Sequence, residues 1–351
     1  MKVELAKIPD LLTRLESQAL SVHPLQCVQS RHQKAECTLC AENCPTGAIT
    51  WDNPELINAG TCTGCGTCAA VCPTGVFEAL GPTDADLQLW IEKLAETTLT
   101  IAFACPRTTE KDSPGLIRIP CVGRIDTSVL IGAAAAGIQS IELVDGECAS
   151  CPFNSGHSAA ELTCAEANTI LQALESSSSV ALVSESSLPD MPAPKVKLAP
   201  GDEDPQGYNS AHQSESLIKK GELPVRIPAK RQLLQTSLAH LEKPVSTVEV
   251  RSKLWASIKI EDSCTGCQMC AFFCPTGALQ KFEENGMPGL AYTLANCVNC
   301  RLCLEICYTT SIELESRVEI SRVISQASEV VWSNKQTSSH EEKMKRLRMF
   351  K

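Results

Sequence analysis

Between residues 83 and 184 the apolar positions of the chain switch repeatedly between two periods. Leu87, Trp90, Ile91 and Leu94 recur at i, i+3, i+4 and i+7 behind Thr83-Asp84-Ala85-Asp86, which reads as a helix start. Short apolar runs follow at 98–104, 116–120, 138–144 and 180–183, and each reads as a strand. Between the second and third runs Asp126 is placed to cap an alanine-rich helix that Gly137 closes. Between the third and fourth, Ser158-Ala159-Ala160-Glu161 reads as a capping box opening a helix to about residue 174. Strands alternating with helices predict a small parallel sheet.

The flanks are patterned differently. Val3, Leu5, Ile8, Leu11, Leu12 and Leu15 give a partial helical stripe over residues 1–22. Residues 175–225 turn polar and proline-rich, as a linker or a strap laid over the surface would. Leu233, Leu234, Leu238 and Leu241 mark an amphipathic helix over 228–241, and strands are expected within 245–260.

Cysteine then supplies the chemistry. The chain of 351 residues holds 21 cysteines, and disulfide scaffolds belong to short secreted chains, not to one this long. Cys264, Cys267, Cys270 and Cys274-Pro275 follow the spacing C-x2-C-x2-C-x3-C-P. Cys297, Cys300, Cys303 and Cys307 repeat it without the proline, and Cys62, Cys65, Cys68 and Cys72-Pro73 repeat it with the proline. Three thiolates on a tight loop wrap three corners of a 4Fe–4S cubane, and the fourth cysteine reaches the other cluster of the pair. Crossing them so gives Cys264, Cys267, Cys270 with Cys307, and Cys297, Cys300, Cys303 with Cys274. The N-terminal pair gives Cys62, Cys65, Cys68 with Cys44, and Cys27, Cys37, Cys40 with Cys72. Nine residues separate Cys27 from Cys37, so either Cys27 is the fourth thiolate or that cluster has three protein ligands and an open iron. Zinc also takes four cysteines, but its ribbons present C-x2-C pairs rather than this run.

Cys105, Cys121 and the pair Cys148 and Cys151 each follow a predicted strand. In a parallel sheet those positions share the carboxyl edge, where ligands bind. The alternatives are a fifth iron–sulfur cluster and scattered buried thiols, which behave as small apolar groups; convergence at one edge points to the cluster. Cys164 falls outside these sets, inside a predicted helix, and reads as a buried structural thiol. His157 near Cys151 reads as structural or exposed.

Phe103-Ala104-Cys105, Pro120-Cys121-Val122-Gly123-Arg124-Ile125-Asp126, Ala136-Gly137-Ile138 and Gly146-Glu147-Cys148-Ala149-Ser150-Cys151 resemble the iron–sulfur domain of the delta subunit of methyl-viologen-reducing hydrogenase. The resemblance covers about residues 98–175. It implies that Cys105, Cys121, Cys148 and Cys151 hold a cluster, 2Fe–2S rather than 4Fe–4S. It also implies that Gly123 allows a tight turn beside it, and that the domain relays electrons between a hydrogenase or formate dehydrogenase and a heterodisulfide reductase. Arg124 faces the cluster's charge, a partner, or a plain salt bridge. The chain departs from the family in having one cysteine near Phe103 where two are usual, and in its closer last pair.

Net charge is −10, which argues against nucleic acid, whose phosphates need basic patches. The start of the chain lacks the apolar core of a signal peptide. Its longest apolar stretch, 129–138, is far below the ~20 residues that span a bilayer, so a cytoplasmic protein is expected. No Gly-x-Gly-x-x-Gly follows a predicted strand. The basic tail at 335–351 reads as a frayed terminus or a dock for an acidic partner.

The fold expected is α+β and multidomain, with two ferredoxin-like dicluster modules around a small α/β parallel-sheet domain. The boundaries are 1–82, 83–184, a linker or strap at 185–227, 228–334, and the tail. The function expected is a multi-cluster electron-transfer subunit working beside the catalytic redox subunits of a larger anaerobic oxidoreductase complex. An enzyme with a substrate-accessible cluster, and clusters serving as structural or sensing elements, are the alternatives. The path would run from one ferredoxin module through the middle cluster to the other, or out through the middle cluster to a partner.

Overall fold

The computed structural model describes residues 20–50, 57–58, 60–108, 115–146, 148–151, 154–184, 223–241, 248–284 and 287–333. The expected helix at 1–22 lies outside these residues up to 19. Its last three residues, Leu20–Val22, form strand β1 instead, paired antiparallel with β2 (Phe77–Ala79). Leu20 and Val22 are half-buried and pack on the cysteine-rich core of this module, so pairing across the module overrides the local stripe. The tail and most of the strap also lie outside the described residues.

The middle region is a four-stranded parallel sheet in the order β4-β3-β5-β6, with β3 at Thr100–Ala104, β4 at Leu116–Arg118, β5 at Ser140–Asp145 and β6 at Ser179–Ser184. Along β3, Ile101 and Phe103 enter the main core, while Ala102 and Ala104 face the other side of the sheet in a smaller cluster with Val144. Three helices cover the main face: Asp84–Ala95, Thr127–Ala135 and Ser155–Ala173. Each fully buried Ile, Leu or Phe contributes about 1.5–3 kcal/mol on this bookkeeping. Thr83 and Asp86 close a capping box on the first helix. Asp126 caps the second through the N–H groups of Ser128 and Val129, worth about 1 kcal/mol.

The third helix departs from its reading. It starts at Ser155, so Ser158 and Glu161 lie inside it and form no capping box. Its early start follows from packing. Ser155 Oγ donates to the Asn43 carbonyl of the N-terminal module at 3.1 Å, and Gly156 lies against the Cys121–Gly123 turn. Tertiary contact decides the first turn over local propensity.

The C-terminal module pairs β8 (Ser257–Ile260) with β11 (Ile312–Glu315), and β7 (Glu249–Arg251) with β12 (Arg317–Glu319). A three-stranded antiparallel sheet runs β13-β10-β9, from Ser328–Ser333, Met287–Thr293 and Leu279–Glu284. The helix Ala229–Leu241 ties this module to the middle domain. Its Leu234 and Leu238 enter the shared core, and Gln235 donates to the Ala295 carbonyl at 3.0 Å. Its Lys230 Nζ donates to the carbonyls of Ala69 and Ala70, both at 2.8 Å, at the end of the N-terminal module's helix Thr67–Val71. Just before it, the chain lies across the N-terminal module, with Arg226 paired to Glu78 and its N–H bonded to the Pro275 carbonyl. No helix among the described residues is long and apolar enough to cross a membrane.

Candidate iron–sulfur centres

Each regular cysteine loop turns on left-handed backbone at the same two positions. These are Gly64 and Gly66 in one motif, Gly266 and Gln268 in the second, and Asn299 and Arg301 in the third. Left-handed residues at both places wind the three cysteines around a common centre. A third such position follows every fourth cysteine: Gly47, Gly75, Gly277 and Thr310. Where glycine is replaced, as at Thr310, the conformation costs about 1 kcal/mol, so the turn is held by its surroundings.

The loops meet in crossed sets. Cys44, Cys62, Cys65 and Cys68 line one hollow; Cys274, Cys297, Cys300 and Cys303 line a second; Cys264, Cys267, Cys270 and Cys307 line a third. Cys27, Cys37, Cys40 and Cys72 gather in the N-terminal module. Burial first, then the charges of Cys72, Cys27 and Cys37, push the Cys40 thiol up to about 12. Cys27 holds its place because a short helix, Val28–Arg31, fills the gap before Cys37 and leaves Cys27 as its first flanking residue. In the second set, burial and then Cys65, Cys62 and Cys44 push Cys68 up. In the C-terminal module, Cys303 is driven well above the usual thiol range by burial and by Cys300, Cys297, Cys274 and Cys270. Cys307 runs the other way. Burial pushes it up, but hydrogen bonds from the Thr309 hydroxyl and the N–H groups of Ser311, Thr309 and Thr310 outweigh that and hold it below its ordinary value.

A feature beside the cysteines recurs four times. The hydroxyls of Thr46, Thr74, Thr276 and Thr309 lie 3.8, 3.6, 3.8 and 3.5 Å from the sulfurs of Cys44, Cys72, Cys274 and Cys307. The N–H groups of Val76, Ser311 and Asn299 reach Cys72, Cys307 and Cys297 Sγ at 3.4 Å each. Hydrogen bonds to sulfur are one of the levers that set a cluster's potential. The threonines were legible as a C-[PY]-T repeat, but spacing alone gave them no task.

In the middle domain Cys105 directly follows β3, Cys121 lies just beyond β4, and Cys148 and Cys151 lie beyond β5, so one sheet edge gathers all four. Cys121 is pushed up to about 11 by burial first; the Gly123 N–H opposes this, and Cys65, Cys105 and Cys151 add to it. Burial, Asp145 and the other three thiols push Cys148 up to about 12. Gly123 has no room for a side chain. A Cβ there would sit 2.6 Å from Gly156 Cα and 2.8 Å from Thr67 Oγ1. The buried Arg124 is held in an ion pair. Its Nη2 binds Asp84 Oδ1 at 2.6 Å and the Pro82 carbonyl at 3.2 Å, and its stem covers Gly66 in the neighbouring cysteine loop. Asp84 is raised by burial and by Asp126, against the pull of Arg124.

His157 Nδ1 lies 2.7 Å from Asp145 Oδ2, and the pair reaches Cys148 closely enough for the three to hold a metal ion. Sequence position alone did not bring His157 to the thiols; only the sheet edge does. Cys164 stands apart, buried in the core, with its thiol pushed up to about 12 by burial.

Where burial and neighbouring thiols push a cysteine up, as at Cys40, Cys68, Cys148 and Cys303, its thiolate is penalised by the charges beside it and by lost water. A multiply charged metal core removes both penalties and draws the protons off. The crossed sets, the inward-wound loops and the donors at sulfur fit a cubane in each dicluster hollow.

The family model of the 4Fe-4S dicluster domain matches residues 34–76 and 263–311, so Cys27 lies outside the matched stretch. The family model of the methyl-viologen-reducing hydrogenase, delta subunit, matches residues 101–193. No curated protein and no solved structure matches the chain. The chain therefore carries two regions of the 4Fe-4S dicluster kind flanking one of the methyl-viologen-reducing hydrogenase delta-subunit kind.

Proposed function

We propose that this chain is a non-catalytic electron-transfer subunit of an anaerobic oxidoreductase complex built around a hydrogenase, a formate dehydrogenase or a heterodisulfide-reductase-like enzyme. The reading rests on one observation: separate sets of four cysteines, each gathered to one place, are packed against one another within a single shared architecture. In this reading the four crossed sets hold 4Fe–4S clusters, Cys27 included, and Cys105, Cys121, Cys148 and Cys151 hold a further cluster, 2Fe–2S rather than 4Fe–4S. Thiolate-held clusters exchange single electrons at potentials set by charge, solvent exposure and hydrogen bonds to sulfur.

The residues around them supply those settings. The hydroxyls of Thr46, Thr74, Thr276 and Thr309 and the N–H groups at Cys72, Cys297 and Cys307 stabilise negative charge on sulfur. Gly123 brings the Cys121 turn into contact with Thr67, and the Arg124 stem lies on Gly66 of the N-terminal module while its guanidinium is held by Asp84 of the middle domain's first helix. The partners would be the catalytic redox subunits, and the similarity of 101–193 to a hydrogenase delta subunit supports a hydrogenase or its relatives among them.

A reductive titration of the iron-loaded chain, followed by electron paramagnetic resonance, tests the reading. Clusters that cycle reversibly at low potential, with no turnover of small substrates by the isolated chain, are expected. Clusters that do not cycle would make them structural staples. Turnover of an artificial donor with a small acceptor would make the chain an enzyme.

A further inference from the structure

The order of the cysteine sets in space differs from their order along the chain, and the contacts between sets define it. The middle set meets the N-terminal module at Cys121. Gly123 packs on Thr67, the Arg124 stem lies on Gly66, and Thr67 Oγ1 is 3.6 Å from Cys65 Sγ. On the same side, Ser155 Oγ binds the carbonyl of Asn43, the residue before Cys44. The middle set therefore abuts Cys44, Cys62, Cys65 and Cys68. Within the N-terminal module, Cys68 shares a buried core with Cys27, Cys40 and Cys72.

The next junction crosses between the dicluster modules. Val28, Leu302 and Ile306 form a small buried core of their own, and Ala35, Cys37, Phe273 and Cys300 pack against it. Glu36 N–H donates to Glu305 Oε2 at 3.3 Å, and the His32 ring meets the Phe273 ring edge-on at 4.9 Å between centroids. These residues come from within the cysteine motifs themselves, so the core that joins the modules also sets Cys37 beside Cys300. Inside the C-terminal module, Cys270 and Cys303 adjoin one shared core, and the helices Met269–Phe273 and Leu302–Glu305 pack together.

We infer that the five sets form one unbranched series, and that the domain in the middle of the sequence stands at its end. The order is the set of Cys105, Cys121, Cys148 and Cys151; then Cys44, Cys62, Cys65 and Cys68; then Cys27, Cys37, Cys40 and Cys72; then Cys274, Cys297, Cys300 and Cys303; then Cys264, Cys267, Cys270 and Cys307. The packing of Val28 against Leu302 and Ile306 is the junction on which the series depends. The inference rests on the proposal that these thiols hold iron–sulfur clusters. The last set opens to solvent, since Cys267 is exposed and Tyr308, bonded to Thr265 at 2.5 Å, is 62% exposed.

The test uses the full chain, loaded anaerobically and reduced with dithionite. One variant carries Cys62→Ala, Cys65→Ala, Cys264→Ala and Cys267→Ala, which leaves one intact set in each dicluster module, those holding Cys37 and Cys300. The paramagnetic signals of these two sets are expected to broaden and split each other, and adding Val28→Arg is expected to abolish the splitting while iron content stays the same. If the quadruple variant fails to load iron, the wild type and Val28→Arg alone are compared, and the loss of one interaction between signals is expected. Iron-loaded chains whose module signals simply add, with no change on Val28→Arg, overturn the series. A wild-type chain that binds no iron overturns the cluster reading instead, so the two failures are distinguishable.

Discussion

Replacing Gly156 by alanine would place a methyl group well inside 3.0 Å of the Cys121 sulfur. Two effects oppose each other. Gly156 lies in the first turn of the helix Ser155–Ala173, and alanine improves a helix interior by up to about 1 kcal/mol over glycine. The methyl group, however, meets a half-buried thiol whose turn is already packed on Gly156 through Gly123. Overpacking of this kind costs about 1–3 kcal/mol. The steric cost wins or breaks even in overall stability, and the sulfur has to leave its place. Gly156→Ala should therefore lose the middle cluster while the chain still folds. Iron per chain should fall to roughly 16, the content of four cubanes, with the signal of the middle centre gone. Gly132→Ala is the control. Its methyl group clashes only with the end of the Gln88 side chain and meets Ser237 Oγ at ordinary contact distance, far from any of the cysteine sets, so iron content should not change. A Gly156→Ala chain with its full iron and an unaltered middle signal would refute the placement of Cys121 among the ligands.

Other outcomes follow from single contacts. Cys164→Ala should keep all iron and cost about 1 kcal/mol in denaturant unfolding through lost packing, whereas Cys105→Ala should lose the middle centre. Cys27→Ser should convert one cubane to a three-iron form or lose it, read as a new signal in the oxidised chain; an unchanged spectrum would remove Cys27 from the ligand set. Glu78 is pushed up by burial but held below the usual glutamate range by His23 and Arg226. Its folded pKa lies below its unfolded one, so its stabilisation is present above the ordinary glutamate value and is lost as pH falls through the depressed one. Glu78→Gln should free the segment before the helix Ala229–Leu241 by about 1 kcal/mol, seen as about fivefold faster hydrogen exchange over 223–228. Thr309→Val removes a donor to Cys307, and should lower the potential of the set that holds Cys307 without loss of iron.

The crossing of the fourth cysteines was legible only through the two-cluster ferredoxin pattern that the spacing repeats, whereas the loops were legible because winding three thiols around one centre is local. The sheet was legible for the same reason. Alternation such as Ile101 with Ala102 and Phe103 with Ala104 carries its own period, and Asp126 its own cap. What the sequence hid depends on distance along the chain. The run Cys121-Val122-Gly123-Arg124-Ile125-Asp126 is a recognisable motif, yet its parts do separate work. Gly123 permits contact with Thr67, Arg124 binds Asp84 about forty positions away, and Asp126 caps a helix. The early start of the helix at Ser155 was hidden too, because its reason is Asn43 and Cys121. The junction of Val28 with Leu302 joins segments from opposite ends of the chain, and nothing in either segment announces the other. Of the two expected paths, the packing inferred above favours the one that leaves through the middle cluster to a partner, and the sequence could not choose between them because order along the chain says nothing of order in space.

The most direct test of the account is the iron and acid-labile sulfide content of the anaerobically purified full chain. Four cubanes and a 2Fe–2S centre give roughly 18 iron atoms per chain, with sulfide in equal amount. Such a count is the result expected. Zinc in place of iron, with little sulfide, would contradict the electron-transfer account at its base.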